Sequence, residues 1–398
     1  MKILFITPRI PYPINKGDKL RAYHFLRLLK KESEIILFSL DYENTVIDHK
    51  LLEEICDQFF FEKISILRIL FNLFIAPFRK IPFQVSFFYS PRIKIKLNKI
   101  IEEYKPDIMV TQLIRTAEYI VDNSTIPKIL DYIDAISEGL KRRKEESNIF
   151  VKFFLNIEYK RVKNYEKEIA KNFDKKIIIT EHEKQYLPVE NKDTIYVIPN
   201  GVDSEYFKPS IVEKEYDLLF IGNLEYIPNI LAAKFITNEI LPMLKIKYPH
   251  LKVLIAGANP SKKVLSLSSP NVKILGWVDD IREYYSKSKI FIAPLFIGTG
   301  LQNKLLEAMS MEMPSIVSDL VQNGICASKD NSIKIARSSM EFVTEITFLL
   351  SNPDIARDIG KKAREFVIKY YNWNIVEQKL KNIILNEQDY RKNINPFN

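Results

Sequence analysis

The sequence predicts an α/β protein made of two doubly wound domains. Three observations carry that prediction. Short apolar runs rich in β-branched residues alternate with longer stretches at helical spacing along the chain. The alternation restarts after the tight turn Pro199-Asn200-Gly201. The chain has 398 residues, 46% of them hydrophobic, which is large for a single core.

Taken in order, Lys2 to Thr7 reads as a first strand; its apolar run is broken by Pro8 and is too short for a signal peptide. A Pro-rich loop leads to a helix from Asp18 through Lys30, with Leu20, Phe25, Leu28 and Leu29 on its apolar side. Glu34 to Ser39 is the next strand, and Asp48 to Phe61 is expected to be helical. Arg92 to Tyr104 is a helix, followed by strands Ile108 to Thr111 and Lys128 to Tyr132. A lysine-rich helix covers about Phe150 to Lys171, and strands Lys176 to Thr180 and Thr194 to Ile198 close this half.

The second half opens on strand Asp217 to Ile221 and helix Ile230 to Tyr248. Strands Lys252 to Ala256 and Val272 to Leu275 follow, then a helix near Ile281 to Ser288. Ile290 to Leu295 reads as a buried strand, and Gly298-Thr299-Gly300 frames a turn. Leu301, Leu305, Leu306, Met309 and Met313 fall on one helix face, Pro314 ends that helix, and a strand begins at Ser315. Helices over Ser339 to Leu350, Pro353 to Tyr371 and Trp373 to Gln388 complete the chain. The expected domains are 1–203, 204–372, and a closing helix, 373–398, that returns to the first.

Composition narrows the function. Cys56 and Cys326 lie far apart at no metal-ligand spacing, and the four histidines do not pair, so neither a disulfide framework nor a metal site is expected. No apolar run approaches the roughly 20 residues that span a bilayer. The net charge of +9 points to nucleic acid, an anionic membrane or small phosphorylated substrates. The basic residues are dispersed and no nucleic-acid-binding motif is present, which disfavours the first. A cytoplasmic protein is expected. The basic, aromatic segment from Lys63 to Arg92 reads equally as an interfacial face on the inner leaflet of the plasma membrane or as a buried aromatic helix pair.

In doubly wound sheets, ligands bind beyond the carboxyl ends of the strands, so the loops there hold the candidate residues. Gly17 precedes a helix, with Asp18, Lys19 and Arg21 beside it. Backbone amides and two cations could hold a phosphate or an acceptor hydroxyl, or Asp18 could simply begin a helix. Asp131 and Asp134 sit three apart in DYIDAISE. They could orient a sugar hydroxyl or move a proton, or cap a helix. Gly222 and Asn223 follow a strand, and Gly276 precedes Trp277 and Val278, whose backbone could read a nucleobase edge, or Trp277 could be a core residue beside a helix cap. Thr299, Gly300, Leu301, Gln302 and Asn303 bring amides to a helix N-terminus, where Lys304 adds a full charge and Glu307 lies one turn on.

Together VIPNGVDSEYF (197–207), LLFIGNLEYIPNI (218–230), KILGWVDDIREYYSKSKIFIAPL (273–295) and GLQNKLLEAMSMEMPSIVS (300–318) resemble the retaining glycosyltransferases of family 4. PRIPYPINKGDKLRAYHFLRLL and DYIDAISE resemble, more narrowly, sugar transferases of bacterial exopolysaccharide clusters. The resemblance implies the GT-B fold, two Rossmann-like domains facing across a cleft. It also implies transfer of a sugar from a nucleotide-sugar to a glycan or lipid-linked acceptor, with no metal or other cofactor. Glu307 then matches the glutamate that binds the donor ribose, Gly300 to Lys304 the diphosphate site, and Gly17 the loop that approaches donor phosphate and acceptor. Two positions depart from the family pattern. Thr299 stands where the first glutamate of an E-x7-E motif falls, and Asn223, with Asn229 nearby, replaces a usual basic pair. A nucleotide-sugar epimerase of the same fold and a non-catalytic nucleotide-sugar-binding relative are the alternatives.

Overall fold

A computed structural model describes residues 1–385 apart from 46, 80, 146, 299–300, 326 and 328–330. It divides into two compact units, Met1–Pro199 with the segment from Val376 onward, and Asn200–Ile375. The second change of unit falls inside one helix, Trp373–Leu385.

The first unit is built on seven parallel strands: β1 (Lys2–Thr7), β2 (Glu34–Asp41), β3 (Gln58–Lys63), β4 (Ile108–Gln112), β5 (Lys128–Asp131), β6 (Lys175–Ile178) and β7 (Ile195–Val197). They lie in the order β3-β2-β1-β4-β5-β6-β7. The central strands are buried along nearly their whole length, which is why they read as unbroken apolar runs rather than alternating ones. Register is in step across the centre, with Ile3 beside Ile35 and Ile108.

β3 corrects the expected Asp48–Phe61 helix. Only His49–Glu53 is helical there, capped by Asp48, whose side chain accepts from Leu51 N. Phe59, Phe60 and Phe61 instead extend along β2, opposite Leu37, Phe38 and Ser39. Aromatic side chains fit the half-buried surface of an edge strand better than a helix crowded at χ1.

The second unit holds β8 (Tyr216–Ile221), β9 (Val253–Ala256), β10 (Val272–Leu275), β11 (Ser288–Ala293), β12 (Ser315–Val317) and β13 (Lys334–Ile335), all parallel, in the order β10-β9-β8-β11-β12-β13. Both sheets therefore reverse their winding beside their first strand, between β1 and β4 and between β8 and β11. Such a switch point opens a crevice at the strand ends. The expected Ile230–Tyr248 helix begins earlier, at Ile227, and widens to a π-turn over Ile236–Ile240 before continuing from Leu241. Pro242 lacks the N–H that regular helical bonding would use at that point.

Candidate active site

In the second unit, β11 is followed by the Asn303–Ser310 helix, and β12 then returns beside β11. Gly298 has φ +125°, a left-handed backbone that favours glycine. Gln302 is the N-cap; its carbonyl accepts from Leu305 N at 3.0 Å, and its side chain makes no cap bond. Leu301, Leu305 and Leu306 are buried and fasten the helix to the sheet.

That packing turns Glu307 inward as well. It is buried rather than exposed, and Lys304 Nζ donates to its two oxygens at 2.9 and 3.0 Å. Tyr285 OH lies 3.0 Å from Glu307 Oε2 and 3.1 Å from the Lys304 carbonyl, and shares its one proton between the two acceptors. Burial, reinforced by the Glu307 charge and the hydrogen bond to it, pushes the Tyr285 phenol well above its usual range. The phenol therefore stays a donor, fixing the carboxylate one turn into the helix. Asn303 is held from behind, its Oδ1 accepting from Asn200 Nδ2 at 3.1 Å. The Asn200 and Tyr285 contacts were not anticipated. Tyr285 lies 22 residues before Glu307, in a helix of only five residues, Arg282–Ser286.

The loop after β8 lies at the other side of the same switch point. Gly222 N donates to the Ala256 carbonyl, and Asn223 Oδ1 accepts from Glu225 N at 3.0 Å in an Asx turn. Asn229 Nδ2 donates to the Asn223 carbonyl at 2.9 Å. A Cβ on Gly222 would come within 2.6 Å of the Asn229 amide, so a side chain there would push Asn229 off that bond. Trp277 is 66% exposed rather than part of a core, and Val278 beside it is half-buried. Thr299 and Gly300 lie outside the described residues.

In the first unit the expected residues separate into two groups. Arg21 and Asp131 are both fully buried and face each other, with Arg21 Nε to Asp131 Oδ2 at 2.7 Å and Nη2 to Oδ1 at 3.0 Å. Arg21 also donates to the Ile198 carbonyl at 2.8 Å. The pair ties the first helix, Gly17–Leu29, to β5 and to the chain beyond β7. Asp131 and Asp134 do not share a helical face: Asp131 ends β5, Ile133 turns at φ +61°, and the next helix starts at Ile136.

Asp134 is different. Its Oδ1 is shut off from solvent without a hydrogen-bond partner. Burial, with the charge of Glu183 adding to it, raises its carboxyl to about 7. Arg21, Asp131 and Asp18 also act on it electrostatically, and Arg115 feels Arg9, Asp18 and Asp134 in turn. Arg115 follows β4, and its Nε donates to Gln84 Oε1 at 3.2 Å.

Gly17 is exposed at the helix start, where Lys16 is the N-cap and offers no side-chain cap bond. Asp18 sits in the first turn and pairs with Arg9 at 2.5 Å. Lys19 is buried and reaches Glu43 at 3.3 Å. Partial burial alone would raise Glu43, but the hydrogen bond and charge of Lys16, with Lys19 and Arg9, bring it down to about 2. Tyr12, Asn15, Lys19 and Glu43 border an open groove of about 780 Å³. Arg9, Glu43 and Arg115 were not anticipated as site residues; Arg9 lies within the quoted PRIPYP stretch, whereas Glu43 and Arg115 lie outside the quoted motifs. Among the described residues no group of three or more His, Cys, Asp or Glu side chains is placed to hold a metal ion.

Residues 215–352, most of the second unit, match the family model described as glycosyl transferases group 1. Over 93% of this chain and 96% of its own length, an uncharacterised 44.6 kDa protein in the cps region of Klebsiella pneumoniae is 24% identical. Among solved structures, sucrose-phosphate synthase from Thermosynechococcus elongatus superposes with a TM-score of 0.72 at 15% identity, covering 96% of this chain and 98% of that one. The fold is that of the GT-B glycosyltransferases. HepE of Anabaena, solved in complex with UDP, shares the GT-B fold with a TM-score of 0.66 at 13% identity, covering 96% of this chain and 99% of its own. The group 1 domain, the GT-B fold and the cps-region relative together support a glycosyltransferase.

Proposed function

We propose that the protein is a retaining glycosyltransferase that moves a sugar from a nucleotide-sugar to a glycan or lipid-linked acceptor in surface polysaccharide synthesis. The observation that carries this reading is the buried Glu307 carboxylate, held by Lys304 and Tyr285 one turn into a switch-point helix inside the group 1 segment. A buried carboxylate with fixed oxygens suits the paired hydroxyls of a ribose, which donate to it. HepE, solved with UDP-glucose, supports a nucleotide-sugar as donor, and the cps-region relative supports a polysaccharide product.

In the proposed reaction the acceptor hydroxyl attacks the anomeric carbon on the face from which the diphosphate leaves. The bond from that carbon to the diphosphate oxygen breaks, the new glycosidic bond forms, and the departing phosphate oxygen takes the hydroxyl proton. The protein's task is to stabilise charge developing on the diphosphate. Lys304 and the amides at residues 301–303 do this in the second unit. Asp134 orients the acceptor hydroxyl, whereas Asp131 serves by holding Arg21. Incubation with a panel of nucleotide-sugars and a lipid-extract acceptor tests the reading. It predicts acceptor-dependent nucleotide release and a product that keeps the donor's anomeric configuration. An inverted product, or sugar isomerisation without acceptor, contradicts it.

A further inference from the structure

The Ile66–Ile75 helix of the first unit is apolar on almost every side. Its inner face is fixed by Asn72, buried and donating to the Tyr89 carbonyl at 2.7 Å, and by Ile69 packed on the core. The outer face carries Leu67, Leu70, Phe71 and Phe74 at three-and-four spacing, all exposed, Leu67 by 80% and Phe74 by 76%. Phe78, 86% exposed, extends this face beyond the helix end. The first turns of the Ile149–Ile169 helix repeat the pattern with Phe150, Phe153 and Phe154, all exposed.

The segment that follows the Ile66–Ile75 helix joins it to the second helix. Arg161 donates to the carbonyls of Ala76 at 2.6 Å and Pro77 at 2.8 Å, and Glu158 accepts from Phe83 N at 2.9 Å. Large apolar side chains left in water forgo the free energy of burial. A cluster of this kind marks an interaction surface rather than scattered exposure.

Charge indicates what covers it. From Lys63 to Ile101 the sequence contains no acidic residue, while Lys63, Arg68, Arg79, Arg92 and Lys99 punctuate it. Lys152, Lys160 and Lys163 are exposed on the neighbouring helix. A second copy in a two-fold dimer would set this positive surface against itself. An anionic bilayer complements both features, with acyl chains taking the phenyl rings and headgroup phosphates taking the cations. Spanning is not at issue. Ten residues of helix reach only about 15 Å, half a hydrocarbon core. Among the described residues no helix is long and apolar enough to cross.

We propose that this two-helix face seats the protein on an anionic lipid bilayer, with Ile66–Ile75 lying in the interfacial plane. The proposal is independent of donor chemistry. Its test is flotation of the full chain with phosphatidylcholine vesicles, with and without phosphatidylglycerol. Binding is expected only to the phosphatidylglycerol vesicles and should fall steeply as salt rises from about 50 to about 500 mM. Phe71→Glu/Phe74→Glu and, separately, Phe150→Glu/Phe153→Glu should each weaken it by about tenfold or more. These positions are exposed, so both variants should melt as wild type does, which keeps loss of binding distinct from loss of fold. Absent binding, binding that ignores lipid charge, or a dimer split by Phe71→Glu/Phe74→Glu would overturn the proposal.

Discussion

Lys304 sits where one side chain can do two things. At rest its ammonium lies 2.9 Å from Glu307, so the two charges hold one another at the start of the helix. In the proposed reaction the same cation faces a leaving diphosphate, and removing such a charge typically costs two to three powers of ten in rate. Lys304→Ala should therefore lower kcat by about 100-fold, measured by nucleotide release; near wild-type turnover would remove Lys304 from the mechanism. Asp134 makes a separate prediction through pH. Burial first, then the Glu183 charge, keeps its carboxyl protonated up to about 7 in the folded chain, against about 4 when unfolded. Between those values the folded state binds the extra proton, so stability falls as pH rises and levels off above about 7. Asp134→Asn removes that fall. Relative to wild type, the variant should gain about 2 kcal/mol between pH 5 and pH 8 in urea unfolding, and an unchanged difference would contradict the raised pKa.

Elements hold these residues in place, and two glycines show how tightly. Gly257, at the end of β9, has φ +149°, and a Cβ there would fall on the Gly222 carbonyl oxygen. Gly257→Ala should cost at least about 2 kcal/mol and lower the melting temperature, because neither backbone segment can retreat from the sheet. The pattern of elements was largely legible in the sequence: buried parallel strands appear as apolar runs and helices as three-and-four stripes. Gly298, Lys304 and Glu307 were legible too, since all lie within one crossover. What lay hidden depends on long separations. Arg21 and Asp131 are 110 positions apart, so nothing local shows that each neutralises the other. Tyr285 reaches Glu307 from a five-residue helix too short to display periodicity. β3 was mistaken for helix because an edge strand with half-buried aromatic residues has neither a clean alternation nor a fully apolar run. The Ile66–Ile75 helix is apolar all round, so its sequence alone left open whether its outer face was buried.

At the scale of the whole molecule, the two units repeat one solution. Each winds a parallel sheet outward in both directions from its first strand, and each gathers its polar residues at the resulting switch point. The second unit offers a helix N-terminus, a lysine and a buried carboxylate, a set suited to a diphosphate and a ribose. The first offers Arg9, Asp18, Arg115 and the protonatable Asp134, suited to positioning a hydroxyl. This division is what the proposed transfer requires, with the donor on one unit and the acceptor on the other. Its central claim is that Glu307 holds the donor nucleotide. Isothermal calorimetry of wild type and Glu307→Ala against a panel of nucleoside diphosphates tests that claim most directly. One nucleotide should bind wild type one-to-one and bind Glu307→Ala at least about tenfold more weakly, as expected when a charge-assisted hydrogen bond is removed. Equal affinity for the two proteins, or no binding of any nucleotide to wild type, would contradict it.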